Sequence, residues 1–189
     1  MSNEQQFGNE NLRPGDIRSF KVISDRSHDF SGNDKLHNSK GNITDVDYFE
    51  NILSPSITLV AKVGETEGFL DNLPIRGGEK VVVDLRDSKG VKLTPNVNVN
   101  RVRNVESNSV KTTYDLDLVS EETFKNYSSR VVKRYDGKIS ENVKKIMSEN
   151  LNVDVDVDET LINYNFIGNN RKPLYVCTWL ASKSIPAQP

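Results

Sequence analysis

Chemically versatile side chains are scarce in this chain. Its 189 residues hold one cysteine, one tryptophan, two methionines and two histidines. A single cysteine, Cys177, excludes an intrachain disulfide. Neither sign of charge dominates: 25 Lys and Arg stand against 27 Asp and Glu, for a net charge of −2. That balance excludes the broad basic footprint of a general nucleic-acid binder. No apolar run approaches the length of a membrane span, and the opening MSNEQQFGNENLRPGD lacks the apolar segment of a secretory signal. The expectation is a protein made in the cytosol with no stable membrane insertion. Apolar residues are also few, at 35%, and the mean hydropathy is −0.59. Much of the chain should therefore be exposed, loop-rich or covered by partners.

What is present reads first as strands. Residues 1–18 are polar and predict a flexible N-terminal arm, and 24–42 predict a long polar loop of the kind that partners order. Phe20, Val22 and Ile23 begin a short strand between them. From Ile43 to Val119 apolar residues recur at every second position: Ile57, Leu59, Ala61 and Val63, then Val81, Val83 and Leu85. Val110, Thr112, Tyr114, Leu116 and Leu118 follow the same rule. That is the pattern of half-buried antiparallel strands. Turns are expected at Gly64-Glu65, Gly77-Gly78, Ser88-Lys89-Gly90 and Glu106-Ser107-Asn108. In VNVNRVRNV the apolar phase slips from Val97 and Val99 to Val102 and Val105, which predicts bulges and hence a bent sheet. A small antiparallel barrel or sandwich is favoured over 19–119.

The period changes at Ser120. Ser120 suits an N-cap, and Phe124, Tyr127, Val131 and Tyr135 fall at helical spacing, so a helix is expected to run until Gly137. Ser140 can cap a second helix with Val143, Ile146, Met147 and Leu151 inward. Residues 153–157 alternate Val and Asp as a strand, and Tyr164, Phe166 and Ile167 form another. Pro173 begins a third helix that buries Leu174, Cys177, Leu180 and Ala181. The fold class is therefore α+β, a β-barrel followed by a small α/β region over 120–189.

Candidate chemistry is thin. Asp154, Asp156 and Asp158 begin like a calcium loop, but Glu159 stands where glycine is needed and Asn165 where the bidentate glutamate belongs. They read as the solvated face of a strand. His28, Asp29, Asp34 and His37 match no metal-ligand spacing. Cys177 has no identifiable base, so it reads as a small core hydrophobe. Gly77-Gly78-Glu79 precedes a strand rather than a helix, which favours a tight turn over an anion cradle. Arg101, Arg103, Arg130, Lys133 and Arg134 read as solvated faces or interface rim. Asn42-Ile-Thr and Asn126-Tyr-Ser match the glycosylation pattern by chance. No catalytic, cofactor or metal residue is assigned, and an enzyme is not expected.

Three segments carry a resemblance. LPIRGGEKVVVDL (73–85), YDLDLVSEETFKNYSSRVVKRYDGKISENVKKIM (114–147) and NRKPLYVCTWLASKSIP (170–186) follow one another as in the baseplate hub proteins of contractile-tailed, T4-like bacteriophages (myoviruses). The family pattern is a Gly-Glu turn before a strand, then a Tyr-x-Leu strand entering a Ser-Glu helix start and an aromatic-Gly-x-Ile-Ser joint. It closes with an Arg-x-Pro helix bearing Trp-Leu-Ala. The resemblance implies a tail-tube-type barrel over 19–119 and a structural virion protein, a central hub subunit linking tail tube to spike.

It implies a homo-oligomer, a trimer, contacting tube or tube-initiator protein, spike and baseplate wedge proteins. Genomic DNA would pass through the barrel lumen without specific binding. The place implied is the virion tail baseplate, after assembly in the host cytoplasm. The family runs on into a second tube barrel, so the resemblance implies an N-terminal portion, or a shortened or split hub. A tube initiator or terminator, or a secretion-system spike protein, would share the barrel but not the helices of 120–186. A tail-associated hydrolase would need a pair of carboxylates in a cleft.

Overall fold

The computed structural model describes residues 16–23, 43–66, 70, 75–87 and 89–188. The expected loop 24–42, with His28, Asp29, Asp34 and His37, lies outside the described residues, as do residues 1–15. Seven strands form one antiparallel sheet: β1 (Asp16–Ile23), β2 (Ile43–Phe49), β3 (Thr58–Glu65), β4 (Lys80–Arg86), β5 (Lys92–Leu93), β6 (Asn96–Ser107) and β7 (Thr112–Ser120). Their order is β1-β4-β6-β7-β3-β2, with β5 attached to β4. The sheet curls into a nearly closed barrel whose open seam lies between edge strands β1 and β2. Strand β1 starts at Asp16, so Asp16, Ile17 and Arg18 belong to the sheet rather than to an arm.

Alternation explains the barrel. Each strand sends every second side chain inward, and these make one core: Phe20, Leu59, Ala61, Val81, Val83, Val97, Val99 and Leu118 are wholly buried. The predicted bulges are present. The β6–β7 register shifts between Val99 and Arg101 and again between Arg103 and Glu106, and Asn104 takes a φ of 52° there. Each shift bends the ladder as closure demands.

The filled interior corrects one expectation. A barrel packed with Phe20, Leu59, Leu116 and Leu118 has no lumen for DNA.

Beyond the barrel come α1 (Glu121–Ser128), β8 (Arg134–Tyr135), α2 (Ile139–Leu151), β9 (Phe166–Ile167) and α3 (Pro173–Ala181). The helix expected to reach Gly137 stops at Ser128. Phe124 and Tyr127 are 37% and 44% exposed, while Thr123 and Asn126 are buried instead. Val131 and Tyr135 are buried, but as extended chain: Val131 bridges Arg171 and Tyr135 pairs with Phe166. Pairing with segments distant in sequence takes Val131 and Tyr135 out of the helical pattern.

Residues 153–157 are extended with valines half-buried and aspartates exposed, yet they join no sheet. Ala181 is exposed, and Val176 takes the buried place on α3. This second core stacks Tyr135 on Phe166 at 5.4 Å and sets Trp179 edge-on to Tyr164 and Phe166.

Candidate functional site: an assembly surface

The outer barrel face carries a charge ladder. Antiparallel register places Asp45 opposite Lys62, Lys62 opposite Asp115, and Asp115 opposite Arg103. Four adjacent strands thus bear a row of alternating sign. Lys62 Nζ lies 3.1 Å from Asp45. Asp117 receives Arg101 Nε at 2.5 Å and Arg103 Nε at 2.7 Å. Partial burial opposes ionisation of Asp117, but the two guanidinium hydrogen bonds prevail and hold its carboxyl below the usual value. Arg101 and Arg103, expected on solvated faces or an interface rim, share Asp117, and Asp115 lies 4.0 Å from Arg103 as well. Lys133 pairs with Glu149, Arg134 with Asp136, and Arg130 donates to the carbonyls of Tyr127 and Ser129.

The paired glycines form a turn that fills its own anion site. Gly77 and Gly78 have φ of 95° and 93°, a region glycine enters without strain. The Glu79 carboxylate accepts from the amides of Arg76 at 2.8 Å and Gly77 at 2.9 Å. No exogenous anion is needed to satisfy them.

At Gly64-Glu65, where a turn was expected, β3 continues, because the ladder with β7 runs on to the Glu65–Thr112 pair. Glu65 is 1% exposed. Its Oε1 accepts from the Leu70 amide at 2.8 Å, while Oε2 and the Tyr114 hydroxyl are buried without a hydrogen-bond partner. Alternation puts both on the inward face. Composition and periodicity gave no signal for a carboxylate inside the barrel.

Among the described residues, no group of three His, Cys, Asp or Glu is placed to hold a metal. Asp154, Asp156 and Asp158 are strung along one exposed side of an extended segment rather than converging. Cys177 packs between the two clusters of the α/β region, and burial pushes its thiol up to about 12. Such a thiol is a poor nucleophile at neutral pH. Among the described residues no helix is long and apolar enough to cross a membrane.

The surface is richer in contact features than in chemistry. The turn between β2 and β3 leaves Ile52 100% and Leu53 84% exposed. Beside it a groove of about 800 Å³ runs between this turn and the α/β region, walled by Ile57, Met147, Val153 and Val155. Glu50, Asn51, Ser54, Ser56, Ser120 and Glu122 share the wall, so the exposed Ile-Leu pair stands beside a mixed surface.

This combination of a curled antiparallel sheet and an appended α/β unit is similar in fold to solved tail proteins. No protein-family model matches the sequence, and neither does any curated protein. Solved structures do match. The 43 kDa tail protein of prophage MuSo2 from Shewanella oneidensis aligns with a TM-score of 0.54 at 14% identity, over 89% of this chain and 48% of that one. The tail protein from Neisseria meningitidis MC58 aligns at 0.54 and 12% identity, over 90% and 45%. An E. coli component of the type VI secretion system, described as similar to the T4 tail proteins gp27 and gp5, aligns at 0.51 and 9%, over 90% and 40%. The chain spans less than half the length of each of these proteins.

Proposed function

We propose that this chain is a structural subunit of a contractile phage tail, acting in the baseplate hub where the tail tube meets the spike. The observation that carries the reading is the extent of the likeness. It runs through both the barrel and the α/β region, over 89% of the chain for the prophage protein. A component sharing only the tube barrel would not align over residues 120–186. The work of such a subunit is mechanical: it holds neighbours in register and transmits force, with no catalytic group of its own.

The outer charge ladder fits this role. Lys62 pairs with Asp45, Arg101 and Arg103 share Asp117, and Asp115 lies 4.0 Å from Arg103, so three carboxylates offset the three cations and leave phosphates little unpaired charge. A ring of subunits, three by the hub resemblance, would enclose a channel that DNA traverses without being held. Spike, tube and wedge proteins are the proposed neighbours, and the virion baseplate the proposed place. A secretion-system counterpart is the second reading: the type VI component aligns over 90% of the chain, so residues 120–186 do not separate the two readings as the sequence had suggested.

The test is assembly. Light scattering after size exclusion, with electron microscopy of the purified chain, should show a ring of three at micromolar concentration. The chain should also sediment with tails in particles made by its host. A monomer at every concentration, absent from sedimented tails, would overturn the proposal.

A further inference from the structure

One stretch of the α/β region has strand geometry and nothing to pair with. Helix α2 ends at Leu151, and its C-cap Asn152, with a φ of 55°, turns the chain sharply. The amides of Asn152 and Val153 return to the last helical turn. From Asp154 to Asp158 burial alternates as it does along a strand, and among the described residues none of the segment's backbone or side-chain groups makes a hydrogen bond or ion pair. Pairing resumes at Glu159, whose carbonyl accepts from Ala187.

The side chains make this edge asymmetric. Val153 and Val155 lean on the Met147, Leu151 and Leu174 cluster, while Asp154, Asp156 and Asp158 face solvent. An extended backbone with free donors and acceptors is a template for another strand. Space for one exists along its length. The groove of about 800 Å³ borders Val153 and Val155 on its apolar side, with Glu50 and Glu122 also in its wall. A second, polar groove of about 290 Å³ borders Val157 and Glu159 and is lined also by Lys138, Ser140, Glu141 and Lys144, with Lys138 already paired to Glu159.

We propose that residues 154–158 receive a strand from a partner protein, with Lys or Arg at alternate positions and apolar residues between. Cross-strand neighbours share a face. The partner's cations would therefore lie opposite the three aspartates, and its apolar residues would enter the larger groove beside Val153 and Val155. Repulsion within the unpaired acid row keeps two copies of this same segment from joining, which commits the site to a basic partner. The inference goes beyond the tail reading and does not depend on it.

The experiment titrates the full 15N-labelled chain with three synthetic seven-residue peptides: alternating Lys-Val, the same composition in blocks, and alternating Glu-Val. Amide exchange is followed at 154–158. The alternating basic peptide should slow exchange at every second amide of the segment, and the other two should not. The triple variant D154N/D156N/D158N should bind that peptide about tenfold more weakly at low salt, through loss of three cross-strand charge pairs. Equal binding of blocked and alternating peptides, binding without protection at these amides, or no binding at all would each overturn the proposal.

Discussion

The side-chain oxygen of Asn126 accepts a 3.0 Å hydrogen bond from the amide of Leu174, 48 residues away. Pro173 occupies the first turn of α3 and Lys172 at the N-cap supplies no side-chain bond. Leu174 therefore carries the first free amide of that helix, and a residue of α1 caps it. Helix α2 is treated the same way, since the Ser140 amide is bound by Thr160 Oγ1 at 3.0 Å. Each cap satisfies an orphan donor and fixes where one element sits on another. Asn126→Ala should destabilise the fold by about 1–2 kcal/mol, read as a lower urea midpoint at unchanged slope. Asn126→Asp, which keeps the acceptor, should lose less. Equal losses in both variants would mean that packing rather than the cap is at stake.

Gly168 is held by contact rather than by backbone angle. A Cβ placed on it would come within 2.4 Å of the Val131 carbonyl oxygen. Its amide donates to Lys133 and its carbonyl accepts from Arg171, so neither strand can step aside. Gly168→Ala should cost about 1–3 kcal/mol or more. The tertiary signal to watch is the near-UV circular dichroism of Trp179, which packs in the same cluster. An unchanged spectrum and melting temperature would show that the contact relaxes freely.

The barrel was legible because period-2 alternation reports burial directly, and even the bulges showed as a phase slip between Val99 and Val102. The α/β region was harder, since its order comes from pairs far apart in sequence. Phe124, Tyr127, Val131 and Tyr135 keep helical spacing, yet the last two pair with Arg171 and Phe166. Ser140 was expected to be a cap and is instead capped. No local pattern contains Asn126 reaching Leu174. Glu65 was hidden for another reason: a carboxylate ending an alternating run reads as a turn, and only the partner strand shows that the run continues inward.

Cys177 should behave as a buried apolar residue. Its thiol ionises at about 12 rather than 9.0 because burial penalises the thiolate. Iodoacetamide at pH 8 should therefore label it in urea but scarcely at all in the native chain. Native labelling as fast as in urea would show that the α/β region opens freely. The raised value also means that the unfolded thiol releases its proton first. Stability from this group is intact below pH 9 and declines as pH rises towards 12.

The buried hydroxyl of Tyr114 makes the sharpest pH prediction. Burial, helped by the nearby Glu65 carboxylate, raises its ionisation above the ordinary 10.0. Below pH 10 folded and unfolded chains both keep the proton, so nothing changes. Above it the unfolded tyrosine ionises while the folded one cannot, and stability falls by at most about 1.4 kcal/mol per pH unit. Tyr114→Phe removes that drain and also an unpaired buried hydroxyl, a change that is neutral or mildly stabilising at neutral pH. With Cys177→Ala in both backgrounds, to remove the thiol's own titration, urea melts should coincide or slightly favour Phe at pH 8. By pH 10.8 they should diverge further in favour of Phe. Parallel curves through that range would show that the hydroxyl reaches solvent.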